Sequence, residues 1–528
     1  MPGSAQNGDT VSEPAVVPAP RLVQAGTTAP FPVTADVSVH GPADAVRMLQ
    51  QLVRTRTGLP LRPAPPTSSG TPASPGSPAS PAGTVTLAVE PGAPESYALD
   101  VDAASVRLLA GDDAGLFYGM HTLVQLLAQD ESGWVLPGVH IEDAPRFAYR
   151  GVMLDIARHF HGVDTVRAYI ERAAALKFNV LHLHLTDDKG WRIDVPSRPE
   201  LTARASGSAV GGDSGGFLTR ADYRAIVEHA AAHHMTVVPE IDVPGHTHAV
   251  SLAYPEVCTP PVIGDHLRAE AEQRGEALPA AGIPYEGIGV GFSSLRIDDE
   301  DAARLLADVV GDVAEITPGP YLHIGGDEAL GTPPAGFARF MAQATRLVAA
   351  AGKTPIAWHE AGAAAHLAPG TIGQYWGFAA PTDGMDENAR TFVRGGGQLI
   401  LSPADTTYLD MKPDADFPLG LTWANGPTSL RRAYDWDPAE VIDGVADEEI
   451  LGVEAPLWTE TARDLADLDA LAFPRIAAVA EAAWSAALGS DERRTWASFR
   501  TRVAQLSPLW TRQGIAFTPL PEVDWTRE

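Results

Sequence analysis

From position 149 onward, short apolar runs alternate with longer stretches of helical spacing, and each run ends in polar residues. Eight runs stand out: residues 151–156, 180–185, 236–241, 321–324, 355–358, 373–376, 398–401 and 452–458. Runs this short and this apolar suit strands covered on both faces, as in parallel sheets backed by helices. Between them, residues 166–176 carry Tyr169, Ile170, Ala173 and Leu176 on one stripe, with Asp164 placed to cap its start. Residues 302–316 repeat the pattern with Leu305, Leu306, Val309, Val313 and Ile316, and Pro318-Gly319 stops them. Eight strand–helix steps predict an α/β chain built on a (β/α)8 TIM barrel with insertions. A doubly wound open sheet would need a Gly-rich phosphate turn after its first strand, and Asp155-Ile156-Ala157-Arg158-His159 is not one.

The barrel is expected over residues 146–528, preceded by a small N-terminal α+β domain over 31–145. In that domain residues 43–53 and 115–127 have helical spacing, while 84–89 and 96–101 alternate like half-buried strands. Residues 137–145 read as the link to the barrel, and 1–30, rich in Pro, Ala, Gly and Thr, as a loose arm. Residues 62–83 are almost all Pro, Ser, Ala, Thr and Gly, which cannot bury enough apolar surface to order themselves, so a flexible excursion is expected there.

Composition narrows the partners. The net charge is −29 over 528 residues, with no Lys/Arg-rich run, which argues against nucleic acid or an anionic membrane surface. The single cysteine, Cys258, excludes an internal disulfide. No apolar run reaches transmembrane length and no secretory signal opens the chain, so a cytoplasmic protein is expected unless such a signal was trimmed. Oligomeric state leaves no mark on the sequence.

Chemistry concentrates at Tyr321-Leu322-His323-Ile324-Gly325-Gly326-Asp327-Glu328, a short strand broken by two glycines before two adjacent carboxylates. Glycines free the backbone to turn both acids toward one cavity, and such neighbours do not ionise alike, which separates an acid from a base. In a barrel the strand ends converge. They supply Arg150, Asp155, Arg158 and His159; His182, His184, Asp187 and Asp188; Glu240, Asp242, His246 and His248; then Trp358, His359, Glu360, Tyr375, Trp376, Tyr408, Asp410, Trp458 and Glu460. Indole faces suit the C–H faces of sugar rings, and carboxylates with Arg suit hydroxyls, so a small-molecule pocket is expected. His182-x-His184 with Asp187, Asp188, Asp242 and His246 would also suit a metal, as in amidohydrolase barrels. The later runs offer Trp where that chemistry needs ligands, so no metal and no cofactor is expected, and the histidines are read as supporting residues.

Four motifs stand in order: Tyr149-Arg150-Gly151 with Asp155, Arg158 and His159; His182-x-His184-Leu185-Thr186-Asp187-Asp188 with Gly190-Trp191-Arg192; Pro239-Glu240-Ile241-Asp242-x-Pro244-Gly245-His246; and His323-Ile324-Gly325-Gly326-Asp327-Glu328. Together they resemble the signatures of family 20 glycoside hydrolases, the β-N-acetylhexosaminidases, over roughly residues 100–485. Lys189, where Gln is frequent, and the 62–83 stretch depart from that pattern. The resemblance implies exo removal of terminal GlcNAc or GalNAc from a small carbohydrate, with retention, by attack of the substrate's own acetamido oxygen. It implies Glu328 as general acid and base, and Asp327 as the group that holds the acetamido N–H. It further implies Trp358, Trp376 and Trp458 as the acetamido pocket, Tyr408 on the acetamido oxygen, Arg150, Asp410 and Glu460 on hydroxyls, and Asp187 with His246 behind the acids. A sugar-binding protein that has lost catalysis is the rival, and its usual sign, an altered acid pair, is absent here.

Overall fold

The computed structural model describes residues 14–63 and 83–526. All eight apolar runs become strands of one closed parallel barrel: β1 (Tyr149–Asp155), β2 (Val180–His184), β3 (Thr236–Glu240), β4 (Tyr321–His323), β5 (Thr354–Trp358), β6 (Ile372–Tyr375), β7 (Leu399–Leu401) and β8 (Ile450–Leu457). Pairing of Tyr149 with Gly452 through Leu154 with Leu457 closes the ring. Almost every strand residue is buried, which is why these runs lack the alternation of a half-exposed sheet. Helices α1 (Val163–Ala174), α2 (Arg220–Ala232), α3 (Glu300–Ile316) and α4 (Pro334–Ala350) return the chain between strands.

The barrel is filled in layers. Tyr149, Val180, Val238, Ile356, Ile372 and Ile400 form an apolar floor at the N-terminal strand ends. Above it lies a fully buried polar layer. Glu454 accepts from His182 Nδ1 at 2.9 Å, from Gln374 Nε2 at 2.6 Å and from the Tyr149 hydroxyl at 2.5 Å. Glu240 accepts the Trp358 indole N–H at 2.8 Å. Polar groups at this depth persist because they satisfy one another.

Residues 14–144 group with Asp491–Gly514 and residues 521–526 in a separate compact unit. Its seven-stranded sheet runs Leu22–Ala25, Val139–Asp143, Tyr97–Val101, Ser105–Ala110, Thr84–Val89, Ser38–His40, Arg62–Pro63, accompanied by helices Ala43–Thr57 and Asp113–Gln125. Three expectations change here. The described part of the 1–30 arm is not loose: Val16 and Val17 are buried, Val17 exchanges two hydrogen bonds with the Gln125 amide, and Leu22–Ala25 is an edge strand. The supposed link at 137–145 holds Val139–Asp143, paired on both sides. The expected barrel span 146–528 loses Asp491–Gly514 to this unit, where Arg502 reaches the Val16 carbonyl at 2.8 Å. Most of the 62–83 excursion lies outside the described residues, but its ends belong to the sheet, since Arg62–Pro63 pairs with Ser38–Val39 and the Gly83 carbonyl accepts from Ser38.

In the barrel unit Asp164 does not cap α1. Gly162 takes that position, and Asp164 sits in the first turn, where its charge still favours the helix dipole. Among the described residues no helix is long and apolar enough to cross a membrane.

Candidate active site

The site grows from the break after β4. Gly325 and Gly326 have φ of 65° and 106°, and a Cβ on Gly325 would lie 1.7 Å from Asp242 Oδ1. Only glycine permits both the turn and this approach. Asp242 Oδ1 accepts the Gly326 N–H at 3.1 Å, which pins the turn to the end of β3. Asp327 is thereby buried, while the Glu328 side chain remains 33% exposed at the mouth, on a backbone with φ of 46°. A non-glycine residue in that region carries strain, and strain of this kind collects at functional sites.

His246 joins the acids. Its Nε2 lies 3.5 Å from Asp327 and 3.4 Å from Glu328, and its Nδ1 lies 3.0 Å from Asp187 Oδ2. Burial opposes a charge on His246, yet Asp327, Asp187 and Asp242 outweigh it and hold the ring well above the usual His range. Burial, followed by Asp327, pushes Asp242 well above the usual carboxylate range. Burial also raises Asp327, offset in part by His246 and reinforced by Glu328. Asp242 is the more strongly raised of the two, so these neighbouring acids differ in how readily they ionise.

A second cluster centres on Asp187. Arg158 Nη2 sits 2.8 Å from Asp187 Oδ2, and Lys189 Nζ lies 3.6 Å from Oδ1 while donating to the Gly289 carbonyl at 2.8 Å. Burial would raise Asp187, but Arg158, Lys189 and His246 hold it well below the usual carboxylate range. Arg158 also lies 3.7 Å from Glu460 and 4.5 Å over the Trp458 ring.

The aromatic wall is continuous. Trp358, Tyr408 and Trp458 belong to one buried cluster, with Trp376 packed against it. The Trp358 indole is fixed by Glu240, and the Trp376 indole by Glu360 at 2.9 Å. Asp327 Oδ1, both oxygens of Asp410 and Glu460 Oε2 are buried and without hydrogen-bond partners. Burial, followed by the nearby Glu460, pushes Asp410 well above its ordinary range. Buried acceptors and acids without protein partners are costly unless something else meets them, and ligand hydroxyls and amides would.

The model of the glycosyl hydrolase family 20 catalytic domain matches residues 147–333 and 332–487, and that of the family's domain 2 matches 13–144. The chain belongs to glycosyl hydrolase family 20. It is 43% identical over 440 residues to a beta-N-acetylhexosaminidase of Cellulomonas fimi, covering 82% of each chain. A solved family 20 beta-N-acetylglucosaminidase superposes with a TM-score of 0.89 at 56% identity, covering 97% of this chain and all of that one. A mutant Streptomyces plicatus beta-hexosaminidase in complex with product (GlcNAc) superposes at 0.85 with 40% identity, covering 97% of this chain and 98% of that one. As a family 20 member the chain is a glycoside hydrolase of the β-N-acetylhexosaminidase type.

Of the residues named from sequence, Asp327, Glu328, Asp187, His246, Trp358, Trp376, Tyr408, Asp410, Trp458 and Glu460 all lie at this mouth. Arg150 does not. It is the second residue of β1, at the opposite end, where its guanidinium donates to the Lys177 and Phe147 carbonyls and lies 4.9 Å from the Trp484 ring. At about 3.3 Å per residue it is roughly 16 Å along the strand from Asp155. Arg158, three residues beyond that strand end, takes the position beside Glu460 instead. Strand polarity was the available signal, since only the C-terminal end faces the site. Trp423 was also missed. It is 48% exposed and closes the wall 5.7 Å from Tyr408 and 5.9 Å from Trp376. It lies on the long connection between β7 and β8, where strand-end reasoning does not look.

The metal alternative meets a chemical obstacle. His182 faces Glu454 at 2.9 Å and Glu240 at 3.1 Å, and His184 lies between Glu240 and Asp187 with Arg158 at 3.1 Å. Burial opposes charge on both rings, but Glu454 and Glu240 raise His182 to about 10, and Glu240 with Asp187 raises His184 to about 9. Both rings are already engaged by carboxylates, and the Arg158 guanidinium stands on the Nε2 side of His184, where a cation would have to sit.

Proposed function

We propose that this hydrolase removes single terminal, non-reducing GlcNAc or GalNAc residues from small glycans, with retention, using the substrate's acetamido group as nucleophile. The observation that carries the proposal is the opposed setting of the two acids. Asp327 is buried and keeps one oxygen unpartnered, whereas Glu328 stands partly exposed at the mouth. A carboxylate in Asp327's position can hold the acetamido N–H and stabilise the charge that develops as the oxygen closes on the anomeric carbon. Intramolecular attack gains from proximity and needs no protein nucleophile. Glu328 protonates the leaving oxygen and then draws a proton from the incoming water. Trp358, Trp376 and Trp458 enclose the acetamido methyl and sugar ring, Tyr408 donates to the acetamido oxygen, and Arg158, Asp410 and Glu460 bind the far hydroxyls. A mouth closed by these last three admits one sugar, which favours exo action. Family relatives include a Streptomyces plicatus enzyme in complex with GlcNAc as product, which agrees with this reading.

The test is turnover of an aryl N-acetyl-β-glucosaminide against the matching aryl β-glucoside, each with and without a thiazoline made from N-acetylglucosamine. Turnover confined to the acetamido sugar, with strong thiazoline inhibition, is expected, because a mimic of the cyclic intermediate binds far better than substrate. Comparable turnover of both sugars without inhibition would point to a protein carboxylate as nucleophile.

A further inference from the structure

The outer helices carry a cluster that the hydrolytic chemistry does not use. Glu171 lies in the last turn of α1, His229 in the last turn of α2, and His233 at the end of that helix. Four residues apart, the two histidines share one face. Their rings are 4.5 Å apart, and His229 Nε2 lies 3.2 Å from Glu171 Oε1. The Nδ1 of His233 is 2.9 Å from the His229 carbonyl. A ring that donates from Nδ1 carries its lone pair on Nε2, and a backbone carbonyl of this kind commonly fixes the tautomer of a metal-binding histidine. The ligand atoms of the three residues lie within 4.8 Å of one another.

We propose that Glu171, His229 and His233 bind a divalent transition cation of the zinc class, which clips α1 to α2 on the outside of the barrel. Two imidazoles and a carboxylate are the donor set such ions prefer, with water completing the coordination. Donor bonds of about 2.0–2.2 Å require the three groups to close slightly, and the Glu171 side chain, 58% exposed, is free to swing inward. An ordinary ion pair is the competing account of Glu171 beside His229. An ion pair does not need the second imidazole, yet His233 stands ring to ring with His229 at 4.5 Å with its Nδ1 committed to the His229 carbonyl, so two imidazoles and a carboxylate converge on one point. Arg167 directs its guanidinium to the Ala225 carbonyl, 3.5 Å away. Helices of a (β/α)8 barrel run antiparallel to its strands, so the ends of α1 and α2 lie at the face opposite Asp327 and Glu328. The bound ion would brace the fold without entering the chemistry.

The experiment uses the full chain, stripped with EDTA, dialysed metal-free and titrated with ZnCl2 by calorimetry and by thermal unfolding. One equivalent per chain is expected, with a rise in Tm of at least about 3 °C at saturation. His233→Ala and Glu171→Gln should fold with metal-free Tm near that of the parent, bind zinc at least tenfold more weakly and lose the shift. Absence of the one-equivalent binding in the parent overturns the proposal. So does binding that persists unchanged in both variants, since it would then belong to the acids at the barrel mouth.

Discussion

Two carboxylates one residue apart in sequence acquire different work from their surroundings. Asp327 turns inward beneath the Asp242 anchor, and Glu328 turns outward on a strained backbone. Glu328→Gln is expected to lower turnover of substrates with poor leaving groups by ~10²–10⁴-fold. With an activated aryl leaving group the loss should be smaller, because less protonation is needed. Equal losses across a leaving-group series would remove Glu328 from the acid role. The two arginines make a second contrast. Arg158→Lys keeps a charge but loses the planar fork, and roughly a 10–100-fold fall in kcat/KM is expected from about 1.5–3 kcal/mol of charged hydrogen bonding. Arg150→Lys should leave kcat/KM nearly unchanged and lower the urea midpoint instead, because its contacts lie at the barrel floor. A reversed pattern would restore Arg150 to the site.

Elements here are legible in proportion to how local their causes are. The eight barrel strands read directly from sequence because each is buried on both faces and must be apolar throughout. Leu22–Ala25 was not legible: it is half-exposed, only four residues long, and exists through pairing with Val139–Asp143 more than a hundred positions away. The helix at Asp113–Gln125 is a local case, with Asp112 accepting the Gly115 N–H at 2.7 Å and the Glu95 N–H at 2.9 Å. Asp112→Ala should therefore cost about 1–2 kcal/mol in urea unfolding. A change below about 0.3 kcal/mol would show that water replaces the cap without loss.

For the whole molecule, the polar layer inside the barrel sets a dependence on alkaline pH. His182 and His184 are raised in the fold to about 10 and about 9 from an ordinary 6.5. The folded state therefore binds more protons than the unfolded chain over that window, and stability falls as pH rises. The contribution is complete below about 6.5, shrinks above it, and is lost once the pH passes the folded values. The urea midpoint should decline steadily between about pH 7 and pH 10, and His182→Gln should flatten part of that slope. A midpoint constant across this range would mean that the two rings are neutral in the fold. By itself the sequence determined the barrel, its strand count and the acid pair, since hydrophobic periodicity and the motif around Gly325-Gly326-Asp327-Glu328 are written in neighbouring residues. It could not determine which arginine stands beside Glu460 at the mouth, that Trp423 completes the wall, or that Asp491–Gly514 belongs with the first unit. Those depend on strand polarity, on loops folding back over the barrel mouth and on contacts hundreds of residues apart, which only the closed chain brings together.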